Sequence, residues 1–173
     1  MSRGSISWQG QPGPVTVGTT IRAGFEAALG EGRVSYSQDG RGAPAGSSLG
    51  VAVVGERPYA EYSGDREDLH LSEEDLEVIR NLERQQLAVV VVLISGRPLI
   101  LGEAHELADA VVAAWLPGSE GAGVSDVLLG DAPFVGKLPH TWPRSMDQIP
   151  INVGDEPYDP LYPYGHGLVT VER

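Results

Sequence analysis

LGVAVVG at residues 49–55 and LAVVVVLI at residues 87–94 decide the fold. Both are short runs rich in β-branched residues, with no polar residue at alternate positions. A strand with one face in water alternates apolar and polar side chains, so an unbroken run of this length reads as a strand buried on both faces of a parallel sheet. Parallel neighbours need a crossover, and residues 72–85 supply one. Ser72 is placed as an N-cap, Glu73, Glu74 and Asp75 fill the first turn, and Leu76, Ile79 and Leu82 fall on one face. The three segments form a βαβ unit, and Ala110 to Trp115 is a third strand candidate. The fold class is α/β, doubly wound, with a mostly parallel sheet between helices.

Working outward, Gly and Pro interrupt residues 1–18, which read as an irregular loop carrying one tryptophan, Trp8. A short helix is expected over Thr19 to Leu29, a short strand over Arg33 to Ser37, and another helix over Gly121 to Leu129. Residues 134–173 are rich in Pro, Tyr and Gly and read as an irregular strap closed by a short strand, Leu168 to Val171. The chain is 173 residues long, which fits one domain spanning 1–173.

Composition removes several functions. The formal charge is −12, which repels phosphate backbones and anionic lipid, so neither nucleic acid nor membrane is an expected partner. There is no cysteine, hence no disulfide, zinc-thiolate site or thiol nucleophile, and the compartment stays open. No apolar stretch approaches the roughly 20 residues needed to span a bilayer. His70, His105, His140 and His166 share no ligand spacing, so no metal is expected. Gly118 to Gly123 lacks the full dinucleotide fingerprint, so no nucleotide cofactor is expected. Ser95 and Ser119 sit in no nucleophile-elbow pattern.

The loop GERPYAEYSGDR, residues 55–66, leaves the carboxyl end of the first strand, where ligands bind in open parallel sheets. Seventeen residues separate Val54 from Ser72, against ~2–6 in an ordinary βα connection. From Glu61 to Glu77 there are eight carboxylates and one arginine, so most of these acids belong to a solvated face or to the helix N-terminus. Composition does not choose between Glu56 and Glu61.

Five blocks carry a resemblance: WQG (8–10) with TVGTTI (16–21), VAVVGERPYAEYSGDREDLHLS (51–72), VVLISGRPLIL (91–101), VAAWLPGSEGAGVSDVLLGD (112–131) and GKLPHTWPRSMDQIPINVGDEPYDPLYPYGHGL (136–168). In this order they resemble the C-terminal sandwich domain of glycoside hydrolase family 3, in its exo-β-glucanase/β-glucosidase branch. The resemblance implies a flavodoxin-like sandwich and β-glucosides or β-glucan oligosaccharides as substrates. It also implies an active site shared with a preceding barrel domain, which supplies an aspartate nucleophile. Matched residue by residue, the family's GE-x-PY-x-E block puts the general acid/base on Glu61. Glu56 is the competing assignment, because a shorter Gly-Glu-Gly-Tyr segment of other branches aligns there. Trp8 matches a tryptophan that clamps the sugar, and Tyr59 is a second substrate-binding candidate. An acid of this kind must keep its proton near neutral pH, and Tyr59 and Tyr62 offer it apolar surface.

Two departures accompany the match. The family usually has a further tryptophan in a GGW segment where this chain reads Arg3-Gly4-Ser5. The family domain also begins with a buried strand ahead of the tryptophan loop, and Met1 falls after it. The sheet is therefore expected to lack its first strand or to receive it from elsewhere, and self-association through the open edge is expected. The alternative function is a non-catalytic carbohydrate-binding or assembly module of the same fold.

Overall fold

The computed structural model describes residues 10–13 and 15–170. Helix α1 is Ile21–Leu29, strand β1 Leu49–Gly55, helix α2 Glu73–Arg84, strand β2 Ala88–Ile94, helix α3 Glu103–Leu107, strand β3 Ala110–Trp115 and helix α4 Gly121–Leu129. The strands form one parallel sheet in the order β1-β2-β3. The class is the expected doubly wound α/β arrangement.

Register follows from burial. β1 pairs with β2 from Leu49 opposite Ala88 to Gly55 opposite Ile94. That alignment brings Ala52, Val54, Val89, Val91 and Leu93 onto one face, where they pack with Ile79 and Leu82 of α2. Val92 points the other way and is also fully buried, so β2 is covered on both faces, as its unbroken apolar run requires. The helix between them starts as expected, with the Ser72 hydroxyl accepting from the Asp75 amide at 3.1 Å. α1 and α4 pack on each other, joined at their starts by Gly121 N–H donating to Thr19 O at 2.9 Å. α1 begins two residues later than expected, with Thr20 as its cap.

Two expectations are corrected, and one element is new. Arg33–Ser37 is not a strand: Glu31–Arg33 is a 3₁₀ turn, and the residues after it make no ladder. Among the described residues no strand lies on the outer side of β1, so the segment leaves that edge untaken, and Leu49 and Val53, on the sheet face away from α2, are about half exposed (53% and 48%). Leu168–Thr170 form no strand either, and Val171 lies outside the described residues. The end of the strap is held instead by a two-bond clasp, Phe134 N to Thr170 Oγ1 (2.8 Å) and Thr170 N to Phe134 O (3.0 Å). Finally, α3 was not expected, being a single five-residue turn between β2 and β3.

The strap is anchored by Trp142, which is buried and donates its indole N–H to Leu99 O at 2.8 Å. A bulge in β3 opposite Leu93/Ile94 accompanies the positive φ (53°) of Trp115, whose ring lies 6.0 Å from that of Trp142. Strap and sheet thus share one core at the strands' carboxyl ends, beside the long loop.

Candidate functional site

The loop between β1 and α2 begins under tight constraint. Gly55 has φ 141°, and a side chain there would collide with the Ile94 backbone, so only glycine lets the chain turn out of the sheet here. The Glu56 amide still donates to Ile94 O at 2.9 Å. From that point Glu56 turns inward: its side chain is only 4% exposed.

Burying a carboxylate is unfavourable unless it is paired and hydrogen-bonded. Glu56 is both. Arg97, three residues past β2, donates to Glu56 Oε1 from Nε (3.1 Å) and Nη2 (2.8 Å). Arg66 adds a contact to the same oxygen at 3.3 Å, and the Tyr59 hydroxyl donates to Oε2 at 3.1 Å. Burial first, and then the Glu56 carboxylate, push the Tyr59 phenol above its usual value.

Tyr59 is half-buried. Arg97 lies over its ring, 4.9 Å from the centroid, and Gly64 lies against the ring's edge so closely that a Cβ would overlap it. Gly64 ends the 3₁₀ turn Glu61–Gly64, and its carbonyl accepts from Arg97 Nη2 at 2.6 Å. Farther along, Arg66 donates to the carbonyls of Asp68 (2.8 Å) and His70 (3.1 Å). Leu69 and Leu71 then bond the backbone of Ile100.

Glu61 opens the same 3₁₀ turn at the crest of the loop. It is exposed, and its φ of 46° is unusual for a residue with a side chain. Among the described residues no ion pair or side-chain hydrogen bond involves it. Backbone held in the left-handed region costs of order 1–3 kcal/mol and persists where its surroundings enforce it, often at functional positions. Tyr62 beside it is also largely exposed.

Below the crest lies a polar cleft of about 470 Å³, with Glu56, Arg57, Tyr59, Arg66, His70 and Asp75 in its wall. Asp75 accepts from the Ser72 hydroxyl at 2.9 Å, and its burial holds its carboxyl above the usual carboxylate range. Trp8 lies outside the described residues. Of the four histidines, His105 and His166 flank Tyr162, whereas His70 contacts Asp68 at 2.6 Å and His140 meets Trp115 edge-on. Sequence reasoning missed Arg66 and Gly64. The available signals were the lone arginine in an acidic stretch and a glycine just after a tyrosine-rich turn.

Comparison with known proteins bears on the whole chain. The family model for the glycosyl hydrolase family 3 C-terminal domain matches residues 2–170. The periplasmic beta-glucosidase of Salmonella typhimurium is 36% identical over 141 residues, covering 68% of this chain and 18% of that protein. Among solved structures, the exo-1,3/1,4-beta-glucanase of a Pseudoalteromonas species superposes with a TM-score of 0.80 at 38% identity, over 88% of this chain and 20% of that one. A beta-glucosidase from Listeria innocua, solved in complex with glucose, gives a TM-score of 0.64 at 27% identity, over 70% of this chain and 20% of that one. The chain therefore spans about a fifth of the length of these relatives. It belongs to glycosyl hydrolase family 3, of which it is the C-terminal domain.

Proposed function

We propose that this domain supplies the general acid/base of a retaining β-glucosidase or exo-β-glucanase, and that Glu61 is that residue. One observation carries the choice: both oxygens of Glu56 are already engaged in a buried pair, whereas Glu61 stands at the solvent-facing crest of the loop. A carboxylate tied to Arg97 and Tyr59 is a poor proton shuttle. An untethered one can approach a substrate held against the loop.

A retaining glycosidase needs two carboxyl groups about 5–5.5 Å apart. In this reading the second is an aspartate of a barrel domain, as the family resemblance implies. That aspartate attacks the anomeric carbon while Glu61 protonates the departing oxygen. Glu61, now ionised, then takes a proton from the water that hydrolyses the covalent intermediate. Trp8 and the solvent-facing part of Tyr59 are the proposed walls for the sugar, since aromatic surface packs against the C–H face of a pyranose.

The chain alone should then show no turnover of an aryl β-glucoside, because an acid without an attacking carboxylate cannot form the intermediate. Activity appearing only when a family barrel domain is supplied distinguishes this function from a non-catalytic carbohydrate-binding module. The decisive test is anion rescue in that reconstituted enzyme. Glu61→Ala leaves a hole beside the anomeric carbon, so azide should enter there and yield a β-glycosyl azide, while Glu56→Ala should yield none. The opposite pattern would transfer the role to Glu56. Among the described residues the outer edge of β1 carries no strand, which supports self-association of the isolated chain.

A further inference from the structure

Arg97 joins three parts of the loop that are otherwise separate. Its own backbone is fixed: Ser95 is buried, its hydroxyl donates to Arg97 O at 2.7 Å, and its amide donates to Trp115 O at 3.1 Å. From this base one guanidinium bonds the Glu56 carboxylate at the start of the loop. It covers the Tyr59 ring in the middle and donates to the Gly64 carbonyl at the end of the turn that Glu61 begins. These contacts use the planar fork, its face and its charge together, and a lysine ammonium supplies only the last.

We infer that Arg97 is a positioning residue that fixes the direction of Glu61 by clamping the 3₁₀ turn at its far end. The inference rests on the acid/base reading of Glu61 for its functional meaning, although the clamp itself is a property of the chain. The turn is short, closed by the Asp65 amide donating to Tyr62 O at 3.1 Å. Its first residue holds the unusual φ of 46°. Short turns relax to commoner backbone angles unless something over-determines them, and here the Gly64 carbonyl is held from another strand's exit loop. Arg97 shares Glu56 with Arg66, so part of its charge is offset and the clamp acts mainly through geometry.

Two measurements test this. In the chain as it stands, Arg97→Lys should speed hydrogen exchange at the Asp65 amide about tenfold while the amides of β2 keep their protection. Unchanged exchange at Asp65 would overturn the clamp whatever Glu61 does. With a barrel domain supplied, Arg97→Lys should lower kcat/KM about 10- to 100-fold for a glucoside with a poor, sugar-like leaving group. For a dinitrophenyl glucoside, which needs little protonation, the loss should be about threefold or less.

A merely structural loss would lower both substrates equally, and that result would also overturn the positioning role. Glu61→Gln serves as the reference. If it shows no split between the two substrates, the acid/base reading fails and the clamp is left as a loop brace. If Glu61→Gln shows the split and Arg97→Lys does not, the positioning inference alone fails. Should Arg97→Lys not fold, Tyr59→Phe, which removes one hydroxyl from the same cluster, is expected to give the same split at smaller size.

Discussion

The root and the crest of one loop obey different physics. At the root, Gly55 to Tyr59 is built like a protein interior: an obligatory glycine, a buried carboxylate with both oxygens bonded, and a ring with Arg97 over it and Gly64 against its edge. At the crest, Glu61 and Tyr62 face solvent on an unusual backbone angle. Two glutamates five positions apart thus have unlike surroundings. The difference teaches that a shared motif leaves two carboxylates alike until the partners each has already satisfied are counted.

The sharpest way to break the comparison is turnover. In the reconstituted enzyme, Glu61→Gln should reduce hydrolysis of poor leaving groups by about 10²- to 10⁴-fold, and steady-state kinetics on a disaccharide will show whether it does. Retained activity within about tenfold of the parent would remove the crest from the chemistry. The next contrast is stability. Glu56→Ala leaves Arg97 without its buried partner and should cost roughly 3 kcal/mol in a urea titration. Glu61→Gly, which relaxes a positive φ, should change stability by less than about 1 kcal/mol in either direction. Equal losses at the two sites would mean that the crest is packed as tightly as the root.

The smallest effect is a pH dependence. Asp75, in the wall of the same cleft, is held above its ordinary value of 3.8, chiefly by burial. A raised folded-state value means the folded chain binds this proton more tightly than the unfolded chain. Between the ordinary value and the raised one, this group therefore adds stability as pH falls and removes it as pH rises. Asp39, Asp68, Glu77 and Glu103 are held low, by the Arg41 amide, the His70 amide, Arg84 and Arg80 respectively, so their contributions run the opposite way and are lost in acid. Asp75→Asn should accordingly make the chain's loss of stability steeper than in the parent as pH falls from the raised value toward about 4, which thermal melts at stepped pH will register. A shallower loss would contradict the assignment.

Much of the sheet was legible because β1, β2 and β3 are continuous apolar runs whose identity does not depend on distant partners. α2 was legible for a similar reason, since its cap and its apolar face lie within fourteen residues. Arg33–Ser37 and Leu168–Thr170 were misread because a strand is made by pairing, and which segment pairs is not written in the segment itself. α3 is too short to display a period. The site divides likewise. The loop's length and place after a strand marked it, yet Arg97, which separates Glu56 from Glu61, lies 41 residues away, so no local pattern says which carboxylate it takes.

The pairing of Gly55 with Ile94 has a further consequence. Arg97 is carried by β2 and Glu56 by β1, so the alignment of the two strands serves as the gauge for the site. A slip of one residue would move them apart by about 3.3 Å, enough to disengage the guanidinium, and would turn the buried faces of the strands outward as well. Misalignment of the sheet and loss of the Arg97–Glu56 pair are therefore the same event, so the apolar runs that specify the fold also secure the loop.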